Sequence, residues 1–341
     1  MPSLFLSTLA KEKSSTPPIW LMRQAGRYMA EYRAIRAQAK DFVDFCFSPK
    51  LAADATLQPI NRFDMDAAIL FADILLIPYA MGQDLTFVEG EGPRLPGLID
   101  GHEIPFNDIP ETIEVLEPVF ETVQRVRQDL PATKALIGFA GAPWTVATYM
   151  IRGRGGDNHN DVREWAYRNP ETFDRLMTSL VDATSAYLIR QIEAGADAVQ
   201  LFDTWAGGLP QKAFEAWCIA PVSRIVEAVR TVHPTVPVIG FPKSVGSLAI
   251  DFVEETHVDA VGLDFGVSLP WAREALAPHA VLQGNLDPIA LAVGGDRLTA
   301  EIDHILECLQ DIPYVFNLGH GILPHTPIEH VDQLMAQVRG A

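Results

Sequence analysis

Ala194-Gly195-Ala196-Asp197-Ala198-Val199-Gln200-Leu201-Phe202-Asp203-Thr204-Trp205 compresses one architectural unit into a short stretch. Upstream of it, residues 173–194 place Leu176, Leu180, Ala183 and Tyr187 at the three-to-four spacing of a helix buried along one face. Gly195 then stands where a helix end calls for a left-handed residue. Residues 198–202 are too short for a helix and apolar almost without interruption, as in a parallel strand covered on both faces. Asp203 and Thr204 follow at its carboxyl end. Helix, glycine cap, buried strand and polar edge make up a βα rhythm.

Outward from this unit the rhythm recurs along the chain. Strands are expected at 19–22, 67–71, 135–139, 198–202, 237–241, 260–263, 280–283 and 314–318. Helical patterns fall at 112–130, 173–194, 213–233, 245–257, 288–309 and 327–340. Eight such units predict an α/β fold, a (β/α)8 TIM-type barrel with loop insertions, as a single domain over residues 1–341. A doubly wound open sheet is the alternative, and the absence of a GxGxxG after the first strand speaks against it. A barrel of this kind needs about 250 residues. The surplus is read as loop insertions, mainly in 78–133, with Gly90, Gly92, Pro93, Pro96, Gly97 and Gly101, and in 152–161.

The 341 residues are 48% hydrophobic and 21% charged, enough apolar material for a large core. Asp plus Glu number 44 against 26 Lys plus Arg, a net charge of -18. That field repels polyphosphate, so nucleic acid and anionic membranes are not the expected partners. Cys46, Cys218 and Cys308 are widely spaced and form no CxxC pair, which suits a reduced, cytoplasmic protein without structural zinc. The short apolar patch from Leu4 to Leu6 has no basic residues before it and makes a poor signal peptide. No apolar run approaches a membrane span.

Barrel enzymes carry their chemistry at the carboxyl ends of the strands. The residues there are Arg23 and Arg27, Asp73, Pro143 and Trp144 with Tyr149 beyond them, Asp203, Thr204 and Trp205, Lys243, Asp264, Asn285 and Asp287, and His320. Arg23 and Arg27 belong to a run with Arg33 and Arg36 that stands out in an acidic chain. A guanidinium fork grips carboxylate or phosphate through two parallel hydrogen bonds, so the run points to a pocket for an anion. Ion pairing on a helix face is the alternative for Arg23 and Arg27, and Gly26 between them weakens it. Asp73 reads equally as a site carboxylate or a helix N-cap, and the same choice is open for Asp203 and Thr204. Lys243 reads as a Schiff-base nucleophile or, in preference, a solvated lysine. Asp264 and Asp287 read as loop caps. His320 lies between Gly319 and Gly321, which leave it exposed toward a ligand, and Tyr149 could simply pack. The loop from Arg152 to Asn160 resembles an anion cradle without the GK[ST] ending of a nucleotide loop, and reads as a glycine-hinged lid. No HxH, HExxH or HxC pair occurs among nine histidines and three cysteines, so no metal site is expected.

Several stretches resemble the signatures of the uroporphyrinogen decarboxylase family. They are the run Pro18-Ile19-Trp20-Leu21-Met22-Arg23-Gln24-Ala25-Gly26-Arg27-Tyr28, then Phe71-Ala72-Asp73-Ile74-Leu75, and Gly138-Phe139-Ala140-Gly141-Ala142-Pro143-Trp144-Thr145. Gln200-Leu201-Phe202-Asp203-Thr204-Trp205-Ala206-Gly207 and Phe316-Asn317-Leu318-Gly319-His320-Gly321-Ile322 complete the set, in family order. The resemblance implies a distorted barrel that commonly dimerises, and the conversion of uroporphyrinogen to coproporphyrinogen. In that reaction four acetate carboxyls leave as carbon dioxide with no cofactor and no metal. It places substrate contacts on Arg23, Arg27, Asp73, Tyr149, Thr204 and His320, with Asp73, Arg23 and Arg27 as the catalytic set. Many members carry serine where this chain has Thr204, and the loop after Arg152 departs from the usual glycine-serine wording. A corrinoid or thiol methyltransferase on the same barrel would need zinc-binding thiolates at the strand ends, which this chain lacks. A barrel that only binds a porphyrinogen-like anion is the third reading.

Overall fold

The computed structural model describes residues 3–88, 90–101, 107–156 and 159–340. Its strands are β1 (Ala67–Ile69), β2 (Thr86–Val88), β3 (Gly92–Arg94), β4 (Ala135–Gly141), β5 (Ala198–Asp203), β6 (Val238–Pro242), β7 (Ala260–Gly262), β8 (Val281–Leu286) and β9 (Tyr314–Leu318). Seven of them form one parallel sheet in the order β1-β4-β5-β6-β7-β8-β9, while β2 and β3 make a separate antiparallel hairpin. Neighbours pair in step around the sheet, Ala67 with Ala135, Ile137 with Ala198, Val199 with Val238, Ile239 with Ala260 and Leu282 with Tyr314. Every residue of these seven strands is buried, which is why they read as unbroken apolar runs.

The eighth position is filled by residues 18–22, which form no strand. Ile19 makes a single parallel bridge to Phe316. The Phe316 N–H donates to the Pro18 carbonyl at 2.9 Å, and on the other side the Asp66 N–H donates to the Ile19 carbonyl at 2.8 Å. The segment thus spans the gap between β9 and the start of β1 and closes the barrel. The Trp20 N–H donates to the Phe316 carbonyl at 3.3 Å, and the other N–H groups are taken by side chains. Ile19 donates to Asp66 Oδ2 at 2.7 Å, Leu21 to Gln24 Oε1 at 3.1 Å and Met22 to Asn317 Oδ1 at 2.9 Å. Side chains replace a ladder, so an apolar run that reads as a strand is held as a fastened connection.

The core runs continuously from Phe5 to Val338, and a small cluster of Leu75, Leu85 and Leu95 sits under the hairpin. A buried polar relay crosses the barrel interior. Trp20 Nε1 donates to Gln283 Oε1 at 2.9 Å, and Gln283 Nε2 donates to Gln200 Oε1 at 3.1 Å.

Several expected helices are interrupted. Residues 112–130 divide into Ile109–Val115 and Glu117–Asp129, with Pro118 opening the second. Residues 213–233 begin with Gln211–Phe214, widen over Glu215–Ile219 and resume as Ala220–Val232, where Pro221 removes a donor. Residues 288–309 break at Gly294, which has φ 71°. Much of the expected loop surplus is ordered as the β2–β3 hairpin and the helices from Ile109 onward.

Candidate active site

The carboxyl ends of the strands gather the polar residues. Arg23 is presented by a tight turn, not by a helix, since the helix that follows starts only at Ala30. The turn is fastened at its root by the fully buried Gln24, whose Nε2 donates to the Ala67 carbonyl at 3.1 Å. The Met22 carbonyl accepts from Ile322 N–H at 2.9 Å. Between these ties Arg23 adopts φ 63°, a left-handed conformation costing about 1–2 kcal/mol for a side chain of this kind. Gly26 is needed for the same turn, because a Cβ there would meet the Arg23 carbonyl at 3.0 Å. This geometry rules out the helix-face reading of Arg23 and Arg27.

Asp73 lies just past β1 and is half-buried. Its Oδ1 accepts from Leu75 N–H at 2.9 Å. That local turn is the capping role left open by the sequence, and it occupies only one of the two oxygens. Burial pushes the carboxyl up to about 6, against the pull of the Leu75 bond and of the Arg23 charge. Tyr149, on the helix Pro143–Arg152 after β4, is also half-buried. Burial and then the Asp73 charge raise its hydroxyl pKa. Its ring lies 6.3 Å from that of Trp205. Thr204 and Trp205 form the turn after β5. The hydroxyl of Thr145 donates to Asp203 Oδ1 at 2.5 Å and accepts from Trp205 N–H at 3.0 Å, while Trp144 Nε1 donates to the Trp205 carbonyl at 2.9 Å. Asp203, raised to about 6 chiefly by burial, is therefore an organiser of the Thr204 turn.

His320 follows β9, half-buried, with its Nδ1 buried and unpartnered. Burial, then Arg23 and then Lys243 push it down to about 4, with Asp264 opposing. The flanking glycines have separate causes. A Cβ at Gly319 would sit 2.2 Å from Phe265 N, so the β9 loop lies directly on the β7 loop. A Cβ at Gly321 would meet Arg23 Cδ at 2.4 Å, so that glycine is the room in which the Arg23 side chain runs. Both carboxylate oxygens of Asp264 accept backbone N–H groups, Ser244 at 2.7 Å and Gly266 at 2.9 Å. Asp287 caps the helix Pro288–Val293 through Ile289 N–H at 2.8 Å.

Arg23, Asp73, Tyr149 and His320 thus share one mouth, tied by the field of Arg23, and Thr204 stands on its wall beside Trp205. Arg23 and Arg27 are both exposed; the Arg27 carbonyl accepts from Arg33, and its charge is felt at Tyr32 and is not among the causes acting on Asp73, Tyr149 or His320. The loop after Arg152 is tied to the hairpin, since the Gly153 carbonyl accepts from Leu95 N–H at 2.9 Å and Arg154 bridges to Arg94. Gly155 lies on the Tyr149 ring, where a Cβ would be 3.3 Å away. Residues 157–158 of the expected lid lie outside the described residues. Gln24 and Asn317, both buried, went unnoticed in the sequence. Asn317 is a polar residue inside an otherwise apolar run, whereas Gln24, beside Arg23, carries no such signal. Among the described residues no group of three or more His, Cys, Asp or Glu could hold a metal ion.

A parallel barrel with carboxylates and cations gathered at the carboxyl ends of its strands has the architecture of a barrel enzyme. The family model described as "Uroporphyrinogen decarboxylase (URO-D)" matches residues 2–341. The uroporphyrinogen decarboxylase of Rhizorhabdus wittichii is 52% identical over 98% of this chain and 97% of its own length. That of Rhodospirillum rubrum is 50% identical over 98% and 96%. A solved methyltransferase from Methanosarcina mazei superposes with a TM-score of 0.80 at 20% identity, covering 100% of this chain and 99% of its own, a likeness of fold alone. The chain belongs to the uroporphyrinogen decarboxylase family. It is a carboxy-lyase of tetrapyrrole biosynthesis.

Proposed function

We propose that this chain converts uroporphyrinogen to coproporphyrinogen with Asp73 at the centre of the reaction. One observation carries the assignment of roles. A half-buried carboxylate, lifted to about 6 by burial, lies past the end of β1 within the field of Arg23. At neutral pH it is largely ionised, and among the described residues only its Oδ1 accepts a hydrogen bond, from Leu75 N–H.

Each turnover replaces a carboxylate by a proton on the same arm: R–CH2–COO⁻ plus H⁺ gives R–CH3 plus CO2. The electrons released by C–C cleavage need a sink. Protonation of a pyrrole carbon supplies it: the cationic ring accepts the pair as CO2 leaves, the exocyclic carbon is then protonated to a methyl group, and the ring carbon gives up the proton it took, so one proton is consumed for each CO2. No cofactor is required in this reading. Asp73 accepts hydrogen bonds from the pyrrole N–H groups and stabilises the cation as it forms, a preorganised charge in a site poor in water. Arg23 and Arg27 hold carboxylate arms, Arg27 from the rim. Tyr149, Thr204 and neutral His320 donate to the remaining carboxyl edges. A porphyrinogen is a polyanion, which accounts for a cationic mouth on an acidic protein. We further propose a cytoplasmic homodimer. That assembly and location rest on the family resemblance, and light scattering on the purified protein would return twice the chain mass. Among the described residues no helix is long and apolar enough to cross a membrane.

The test is an anaerobic incubation of purified protein with uroporphyrinogen, with release of carbon dioxide and the seven- to four-carboxyl products followed by chromatography. Turnover by the wild type and loss of about a hundredfold or more in Asp73→Asn is the expected result. Near-normal turnover in Asp73→Asn would remove Asp73 from the centre of the reaction.

A further inference from the structure

His320 and Asp73 account for one side of the mouth, but the β6 end carries a cation that the decarboxylation chemistry does not use. Lys243 stands immediately after β6 and is half-buried. Among the described residues no carboxylate forms an ion pair with it. Its backbone is held unusually firmly. The Lys243 N–H donates to the Asp203 carbonyl at 3.1 Å. The next residue, Ser244, adopts φ 62° and is kept there by Asp264, which accepts its N–H at 2.7 Å. From the β5 side Gly207 lies so close that a Cβ would be 2.7 Å from the Ser244 carbonyl and 3.1 Å from that of Lys243. A strained, triply braced backbone is an odd support for a lysine that merely faces water.

Beside this support lies a pocket of about 480 Å³ lined by Ser244, Ser247, Asp264, Gly266, Ser268 and Trp271. Its rim is shared with the β7 loop, on which Gly319 and hence the His320 loop are packed. The charges of Arg23 and Lys243 both depress the basicity of His320, with Asp264 opposing them. His320 Nδ1 is buried and unpartnered, and Asp264 has both oxygens taken by backbone N–H groups. Such an arrangement is complete only with an anion from outside.

We propose that Lys243 is a second anion-binding residue of the mouth, holding a carboxylate arm of the substrate on the side opposite Asp73. Asp264 is a positioning residue that sets Lys243 through the Ser244 turn. The inference rests on the porphyrinogen reading of the site. A macrocycle with carboxylate arms around its whole rim needs grips on more than one side if one arm at a time is to reach the reacting position. Arg23 serves one side and Lys243 the other.

Lys243→Met and Lys243→Gln test this, with Lys243→Arg as the conservative control. In anaerobic assays both neutral variants should raise KM for uroporphyrinogen by about tenfold or more and lower kcat by a smaller factor, while Lys243→Arg restores most of the loss. Calorimetric titration with uroporphyrin, the stable oxidised polycarboxylate, should show the same loss of affinity. In the unliganded protein, NMR titration of the His320 ring should move upward from about 4 in Lys243→Met. Unchanged KM and unchanged uroporphyrin affinity in folded neutral variants would overturn the proposal. Failure of the wild type to release carbon dioxide would instead overturn the reaction, and the calorimetry would still decide the role of Lys243.

Discussion

Burial lifts the Asp73 carboxyl from 3.8 to about 6, so between those values the native chain keeps a proton that the unfolded chain has released. Native stability therefore falls as pH rises through that window, and above it the charged form costs about 3 kcal/mol. Asp73→Asn removes the cost, and its Oδ1 can still accept from Leu75 N–H. Calorimetry should show the variant melting above the wild type at pH 8, with the gap vanishing below about pH 4. Activity follows the opposite preference, since only the ionised form supplies a negative acceptor, and kcat/KM of the wild type should fall as pH drops through about 6. A variant that is both inactive and stabilised would identify Asp73 as a residue kept for the reaction. Arg27 makes a different demand. It is exposed, so Arg27→Lys keeps the charge and loses only the planar fork. A rise in KM of severalfold, with Tm unchanged, is the expected result, and an unaltered KM in Arg27→Ala would take it out of the mouth.

Between residue and molecule, the loops at the strand ends decide which side chains meet. A Cβ at Gly321 would strike the flexible stem of Arg23, whereas one at Gly319 would strike backbone at Phe265. Gly321→Ala should therefore fold with a Tm near that of the wild type and lose about ten- to a hundredfold in kcat/KM, because Arg23 must leave its path. Gly319→Ala should lose about 1–3 kcal/mol of stability instead, since two loops must part. Urea denaturation beside steady-state kinetics separates the two. These glycines also mark what could be read in advance. The strand at 198–202 was legible because burial on both faces leaves a one-dimensional trace, and only its last residue, Asp203, falls outside the expected range. Residues 19–22 carried the same trace and are no strand, because Asp66, Gln24 and Asn317, distant or downstream in the chain, take the N–H groups a neighbour would have used. The placement of Asp73, Thr204, Lys243 and His320 past strand ends was legible from residue type and topology together. The left-handed turn at Arg23 and the bracing of Lys243 were not, since each is set by contacts between loops that the linear order does not bring together.

At the scale of the whole molecule, two fields act on an approaching polyanion. The chain carries -18, spread over its surface, while the cations of the mouth act from within a few ångströms. Salt screens these unequally. At 0.01 M the Debye length is about 30 Å, so the net negative charge is felt across the whole approach, whereas at 0.1 M it is about 10 Å. Raising salt over this first range should therefore raise kcat/KM by removing repulsion. Toward 1 M, with a screening length of about 3 Å, the partly exposed arginine and lysine contacts are weakened in turn and KM should climb. The expected profile has a maximum at intermediate ionic strength. Lys243→Met should lose part of its high-salt limb, since one of the screened attractions is already gone. A steady fall from the lowest salt upward would show that the local cations dominate at every distance, and that the acidity of the surface plays no part in how the substrate arrives.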